Sequence, residues 1–591
     1  MESSEKIQVL RSVMRQNEVD YLLISSACPH FGDETPSYWR TIWWLTGFSG
    51  SNAFVILSHS FAGLWTDSRY LIQARRQLSG TGVELMMPAY KDSSYFDWLS
   101  ANVKEGNVIA FDGFTISADF FRKLKDRLQG KTIRYKSDFN PFDELWTNRP
   151  SIPDSVAWEH DLQYTGNESE AKIKTVRREM NRRDIDRHLL TSPDDIMWLM
   201  NIRGGDMDYD PIVLSYFLLG KGSACFFADL KKIPDGIERK MSSMGISVEP
   251  YENIVAALNH LKPGSVLLAD ETKLSVTLLN SIPGSVKITY DKSIPATMKA
   301  VKNLTEISNI EETMIKDGIV LTKFFFWFEN SIDRMIMDEK NLAQKLTELR
   351  KQQEGFLMSS FRPIIAFNEN AALPHYETGS GLSSTIGDRG ILLVDSGGHY
   401  FGGTTDTTRT IMKGLPSIQQ KRDFTMVLKG HIALATAKFP IGTKGYQLDV
   451  LARKVLWENG LNYGHGTGHG VGYCLSVHEG PCSISPASNE TAIIPGMLLS
   501  NEPAVYREGE YGIRTENLMV CYEDEETEFG RFLKFDTVTL CYIDALLIDK
   551  SLMDSDEISW LNAYHNLVYT KLSPYLSTEE KAWLKEKTKS P

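Results

Sequence analysis

The order of apolar patterns between residues 19 and 67 recurs between residues 185 and 229, and this limits what the first half of the chain can become. VDYLLIS (19–25), NAFVILS (52–58) and FAGLWTD (61–67) read as strands, and SRYLIQARRQL (68–78) reads as an amphipathic helix. In the second run IDRHLLTS (185–192) parallels VDYLLISS, and DIMWLMNIRG (195–204) parallels TIWWLTGFSG (41–50). PIVLSYFLL (211–219) and SACFFAD (223–229) stand where the strand pair of the first run stood. Trp44 with Leu45 and Trp198 with Leu199 occupy the same place in each run, and Asp67 and Asp229 close matching strands. The expectation is a duplicated α/β unit, with the breaker-rich stretch NPFDELWTNRPSIP (140–153) closing the first copy. Trp43, Trp44, Trp198 and Arg203 read more readily as scaffold than as a site.

The chain is 591 residues long, too long for one hydrophobic core, so three or four domains are expected. The texture changes near residue 300. NLTEISNIEETMIKDGIVLTKFFFWFENSI (303–332) is one long helical pattern with an acidic first turn, and glycine-rich turns with short strands follow to about residue 523. The end adds a strand, FDTVTLCYI (535–543), and two amphipathic helices, SDEISWLNAYHNLVYTKL and STEEKAWLKEKT. A formal net charge of −12 argues against nucleic acid or an anionic membrane as partner. The opening MESSEKIQVLRSVMRQNEVDYLL lacks the basic and apolar regions of a signal peptide, and no apolar run reaches about 18 residues. Six cysteines without a CxxC pair fit a reducing compartment, so a cytoplasmic location is expected.

Three stretches carry chemistry. ILLVDSGGHYFGGTTDTTRT (391–410) puts Asp395 at the end of an apolar strand, with Asp406 11 residues later, after a turn rich in glycine and polar residues. An apolar strand has little structural use for a carboxylate at its inner end unless a cation meets it. A hairpin of this length could bring Asp406 back to face Asp395; a pair of turn aspartates is the plain alternative. NYGHGTGHGVGYCLSVHEGP (462–481) holds His465, His469 and His478, three of the chain's 12 histidines within 14 positions. Glycines at 464, 466, 468, 470 and 472 make a helix implausible there, which separates this pattern from the helical HExxH zinc motif. SNEPAVYREGEYGIRTENLMV (500–520) places Glu502 before a proline and Glu516 in a strand-like run beside Arg514; a surface turn with a salt-bridged glutamate would also fit locally. Together, four carboxylates and one histidine form a hard, oxygen-rich donor set. It suits two divalent ions such as Mn²⁺, Co²⁺ or Zn²⁺ better than one structural zinc. Ligand chemistry alone therefore points to a two-metal hydrolase.

At these residues the chain resembles the creatinase–prolidase–methionine aminopeptidase family, and within it the large, three-domain cytosolic aminopeptidase P type. DSGGHYFGGTTDTTRT, GHGTGHGVG, VHEGP, NEPAVY and GIRTENL stand in the family's order and approximate spacing. The resemblance implies two creatinase-like α/β domains (1–154 and 155–300), a pita-bread α+β catalytic domain (301–525) and a short helical C-terminal extension (526–591). It implies Asp395, Asp406, His469, Glu502 and Glu516 as ligands of two divalent ions, Mn²⁺ first and Zn²⁺ or Co²⁺ next, with Asp406 and Glu516 bridging. Asp395 would hold one ion, and His469 and Glu502 the other. His375, in ALPHYE, matches the family's upstream catalytic histidine, which the residues alone do not single out. His465 and His478 match the remaining active-site histidines, and Arg514 would orient the nearby carboxylates by an ion pair.

The implied reaction is release of the first residue from peptides with proline second, by a bridging hydroxide attacking the Xaa-Pro carbonyl. Glu502 would shuttle the proton and His478 would stabilise the oxyanion, while His375 and His465 would position the substrate. A homodimer is also implied. Two departures from the family pattern, Met314 before IKDG and Thr407 in DTT, touch no ligand. The competing readings are a prolidase confined to Xaa-Pro dipeptides and a pita-bread binding protein without catalysis. Creatinase, which works without metals, would not need this full set.

Overall fold

The computed structural model describes residues 1–86, 94–332, 334, 336–378 and 383–590. The chain forms two compact units: Met1–Glu159, Asn167–Asp208 and Ile212–Pro295 make the first, and His160–Gly166, Tyr209–Pro211 and Ala296–Pro591 the second.

The first unit contains the duplication. Its first sheet is built, in chain order, from Tyr21–Ser25, Ala53–Ser58, Ala62–Thr66, Glu84–Met86, Val108–Phe111 and Arg134–Lys136. Its second uses Arg187–Leu190, Tyr216–Gly220, Ala224–Ala228, Ile246–Pro250, Val266–Ala269 and Lys287–Tyr290. In both sheets the lateral order is fourth, third, second, first, fifth, sixth. In both, the first three strands pair antiparallel and the remaining three attach in parallel. Trp44 and Trp198 sit buried on the corresponding helices Thr41–Thr46 and Pro193–Met200, and Trp44 stacks on Trp146 at 5.7 Å. Arg203 is buried and donates to the carbonyls of Met197 and Ile202, a scaffold role. The strand expected over 211–219 begins only at Tyr216, because the Asp206 carboxylate takes the Leu214 amide that a ladder would need.

The second unit opens on the helix Leu304–Ser331, started by a capping box in which Asn303 accepts from the Glu306 amide and Glu306 accepts from the Asn303 amide. Its buried positions include Ile310, Met314, Asp317, Leu321, Phe324 and Phe328, one face at helical spacing. Met314 packs with Ile310, Val471 and Tyr473, an apolar contact that accounts for the missing polar residue. Asp317 forms a buried ion pair with Arg350, which also donates to Ser396, the neighbour of Asp395.

Three sheets frame the chemistry. Ile364–Phe367, Gly390–Ser396 and Thr407–Lys413 form one antiparallel sheet. Lys438–Pro440, Gly530–Thr537, Asn517–Thr527, Leu498–Asn501, Gly468–Gly470 and Glu479–Ile484 lie in that order in a second. Ala504–Arg507 and Tyr511–Arg514 form a two-stranded ribbon.

The strand expected over 535–543 stops at Thr537. Beyond it, side chains replace the ladder. Arg409 donates to the carbonyls of Cys541 and Tyr542, and the Tyr564 hydroxyl bonds to the backbone of Thr539 and Cys541. The terminal helices appear as expected, at Ser555–Leu572 and Thr578–Lys587. Leu561, Val568 and Leu572 are buried in the main core of the second unit, each contributing about 1.5–3 kcal/mol.

Candidate metal centre

Strand register brings the first two carboxylates together. Asp395 pairs with Thr408 in the antiparallel ladder, so Asp406, two residues before Thr408, falls on the same face one step along. The two are diagonal neighbours rather than directly opposed. Glu516 is not in a strand, as IRTENLMV had led one to expect, but in the break between Tyr511–Arg514 and Asn517–Thr527. Its amide donates to the Thr408 carbonyl at 3.2 Å, and its own carbonyl accepts from Arg409 at 2.6 Å. These bonds hold the side chain on the same face as the aspartates. One donor atom each from Asp406, His469 and Glu516 lie within 4.8 Å of one another.

His469 comes from the short strand Gly468–Gly470, and Glu502 follows Leu498–Asn501. Gly468 is required here, since a Cβ would stand 2.0 Å from the Ser500 carbonyl oxygen. Ser500 in turn links the two residues: its hydroxyl accepts from the His469 amide at 3.0 Å and donates to Glu502 at 3.1 Å. The His469 ring bonds through Nδ1 to the Gly470 carbonyl, leaving Nε2 facing Asp406 at 3.5 Å and Glu502 at 3.4 Å. A ring that donates Nδ1–H to a carbonyl offers the Nε2 lone pair to a metal.

Arg514 is buried and ties the set together from behind. It pairs with Asp395 at 2.5 Å, donates to Thr408 at 3.0 Å and to the Tyr506 hydroxyl at 2.6 Å. Thr408 passes a hydrogen bond on to Glu516 at 2.7 Å. Tyr506 also meets His465 Nε2 at 2.8 Å, which brings that histidine into the network. His478 packs edge-on against His469, with ring centroids 4.3 Å apart. His375 is half-buried on the turn after Asn368–Ala372, and its neighbour Tyr376 is anchored on Glu339 at 2.7 Å. The preceding helical turn Asn368–Ala372 lies against the ribbon bearing Arg514, where a Cβ on Gly512 would stand 1.7 Å from the Ala371 carbonyl oxygen.

The electrostatics of this cluster suit a cation. Burial pushes the carboxyls of Asp395, Glu502 and Glu516 up, and neighbouring carboxylates add to it, Asp406 among them in each case. Burial alone would lower His469, but Asp406 and Glu502 lift it to about 9. Asp395 Oδ1 is buried without a hydrogen-bond partner. Clustered carboxylates that raise one another, a histidine turned cationic between them and an orphaned oxygen are the features of a donor set made for divalent cations.

Thr408, Tyr506 and Ser500 escaped the sequence reading. Thr408 sits one register step from Asp406, Tyr506 four residues after Glu502, and Ser500 two before it. Proximity to the motifs was the available signal.

Known proteins agree with this geometry. Residues 308–523 match metallopeptidase family M24, and 531–590 match the C-terminal region of peptidase M24. Residues 6–143 and 148–306 each match a creatinase/prolidase N-terminal domain. A probable Xaa-Pro aminopeptidase P of Botryotinia fuckeliana is 34% identical over 603 residues, covering 98% of this chain and 92% of that protein. The Xaa-Pro aminopeptidase app-1 of Caenorhabditis elegans is 35% identical over 620 residues, covering all of both. The crystal structure of X-prolyl aminopeptidase from Caenorhabditis elegans, described as a cytosolic enzyme with a di-nuclear active site, superposes with a TM-score of 0.96 at 32% identity, covering both chains fully. From its duplicated first unit to its terminal helices, the chain belongs to metallopeptidase family M24, among the Xaa-Pro aminopeptidase P proteins.

Proposed function

We propose that this protein is a metal-dependent aminopeptidase that releases the N-terminal residue from peptides with proline at the second position. The convergence of Asp406, His469 and Glu516 within 4.8 Å, with buried Asp395 and half-buried Glu502 beside them, carries the reading. In it, Asp395, Asp406, His469, Glu502 and Glu516 would together hold two divalent ions. Mn²⁺ suits the oxygen-rich set first, then Zn²⁺ or Co²⁺. What such a pair supplies is a water acidic enough to attack near neutral pH and a polarised carbonyl.

The chain's own residues do the rest. Glu502 accepts the proton of the attacking water on a carboxylate oxygen and returns it to the proline nitrogen as the C–N bond breaks. The products are a free amino acid and a peptide beginning with proline. His478, packed on His469, donates to the oxygen that becomes negative at the attacked carbon. His465, held by Tyr506, and His375, three residues after the helical turn packed on the Arg514 ribbon, orient the substrate and its proline ring. Arg514 pairs with Asp395, holds it in place and opposes the upward push that burial gives its carboxyl. The scissile bond is a tertiary amide without N–H, so recognition rests on ring shape and carbonyl rather than on that donor.

The protein works as a homodimer in the cytoplasm. Tyr446, Val450 and Trp457, exposed on one face of the helix Gly445–Glu458, support self-association. Among the described residues no helix is long and apolar enough to cross a membrane.

Assay of Xaa-Pro dipeptides against longer Xaa-Pro peptides tests the reading. Longer peptides should be cleaved after the first residue; activity confined to dipeptides would make the protein a prolidase, and a folded, metal-loaded protein inert on both would make it a binding protein.

A further inference from the structure

The glycine-rich segment that carries His465 and His469 has little local reason to hold one shape. Glycine at 464, 466 and 468 gives its backbone wide freedom, and residues 463–467 belong to no strand or helix. Yet Thr467 uses its carbonyl to receive the Glu502 amide at 2.8 Å, and His465 must meet Tyr506. A displacement here would reach both the proposed proton shuttle and a proposed substrate histidine.

The order comes from a neighbouring helix. Asp449 and Arg453, one turn apart on Gly445–Glu458, are both buried and pair at 2.7 Å. The Arg453 guanidinium then grips the segment at two carbonyls, Tyr463 at 2.8 Å and His465 at 2.6 Å, and lies 3.8 Å from the Tyr463 ring centroid. The free oxygen of Asp449 receives the Thr467 hydroxyl at 2.6 Å, and Thr467 meets the Tyr463 hydroxyl at 2.5 Å. Residues 463, 465 and 467 are thus each fixed by the same buried ion pair. Neither charge touches a proposed metal ligand, and a pair so buried is weak ground for stability in itself.

We infer that the Asp449–Arg453 pair is a positioning device, a splint from the helix Gly445–Glu458 that sets the backbone of residues 463–467 and through it the place of His465 and Glu502. This rests on the function proposed above. A planar five-donor fork serves two carbonyls and a carboxylate at once, which a lysine ammonium cannot reproduce. Arg453→Lys keeps the charge and the helix while loosening the segment. Asp449→Asn keeps the shape while removing the ion pair.

Two measurements on the full-length, metal-loaded protein decide it. The first is hydrogen exchange of peptides spanning 463–470, which needs no activity. Either variant should exchange faster there while peptides of the first unit are unchanged; equal protection in both variants and wild type would overturn the splint. The second is a double-mutant cycle on Xaa-Pro peptide hydrolysis. Arg453→Lys should lower kcat/KM about 10-fold in the wild-type background, and by a clearly smaller factor once His465 is already alanine, the remainder passing through Glu502. Losses that simply multiply would show that Arg453 does not act through His465. If Arg453→Lys fails to fold, the Asp449→Asn cycle takes its place with the same outcomes. A wild type that cleaves no Xaa-Pro peptide would defeat the proposed function, while exchange would still decide the splint.

Discussion

Arg514 donates to one oxygen of Asp395 at 2.5 Å, and the other oxygen of that carboxylate, Oδ1, is buried without a hydrogen-bond partner. The pair is nearly solvent-free, with side chains 4% and 10% exposed. The guanidinium holds the carboxylate by one oxygen and leaves the other available to a cation, in keeping with the proposed role of Asp395.

Arg514→Met should therefore damage the metal-free protein first. It leaves Asp395 buried without its counter-charge, a change that costs about 3–5 kcal/mol in comparable buried pairs. Urea unfolding of metal-free wild type and variant reads this as a lower midpoint. Equal midpoints would mean that solvent already screens Asp395.

The raised carboxyls predict proton release on metal binding. Glu516, Asp395 and Glu502 are pushed up mainly by burial, and His469 is lifted to about 9 by Asp406 and Glu502 against its own burial. Below that value the metal-free His469 carries a proton that a metal must displace. Apparent affinity should rise as pH is raised from 6 towards about 9, with about one proton or more released per chain at pH 7. Titration calorimetry in two buffers of different ionisation enthalpy measures the number. Zero release would contradict the charge assignment.

Acid should weaken both compact units through histidines outside the site. Burial lowers His30, His188 and His565 to about 4 and His431 to about 3. These are depressed pKa values, so the unfolded chain binds the extra protons. The stability is fully present above about 6.5 and is lost progressively as pH falls towards 4. At pH 5 each group costs about 2 kcal/mol relative to pH 7.5. Chemical denaturation of the metal-free protein at the two pH values, compared with His188→Asn, tests this. An unchanged pH slope in that variant would remove His188 from the account.

The proposed ligand residues stood out in combination, four carboxylates with histidines in a glycine frame, although each motif alone also fits a turn or a salt bridge. The duplication was legible because each copy repeats the same alternation of apolar runs; matching sheet orders bear it out. What stayed hidden depends on partners distant in sequence. PIVLS looks like strand, but Asp206 captures the Leu214 amide. Residues 538–543 are apolar enough for a ladder, yet Arg409, over 130 positions away, occupies the carbonyls of Cys541 and Tyr542. Glu516 leaves its strand because Thr408 and Arg409 take its backbone groups. Thr408 itself is one threonine among several in TTDTTRT, and only register singles it out.

The central claim is that Asp395, Asp406, His469, Glu502 and Glu516 hold two catalytic ions. Metal content per folded chain, measured by elemental analysis after dialysis against Mn²⁺, tests it most directly. About two ions are expected in the wild type and close to none in Asp406→Asn, which loses a proposed ligand to both, with both proteins equally folded by circular dichroism. A folded wild type that retains no metal, or an Asp406→Asn protein that keeps both ions, would contradict it.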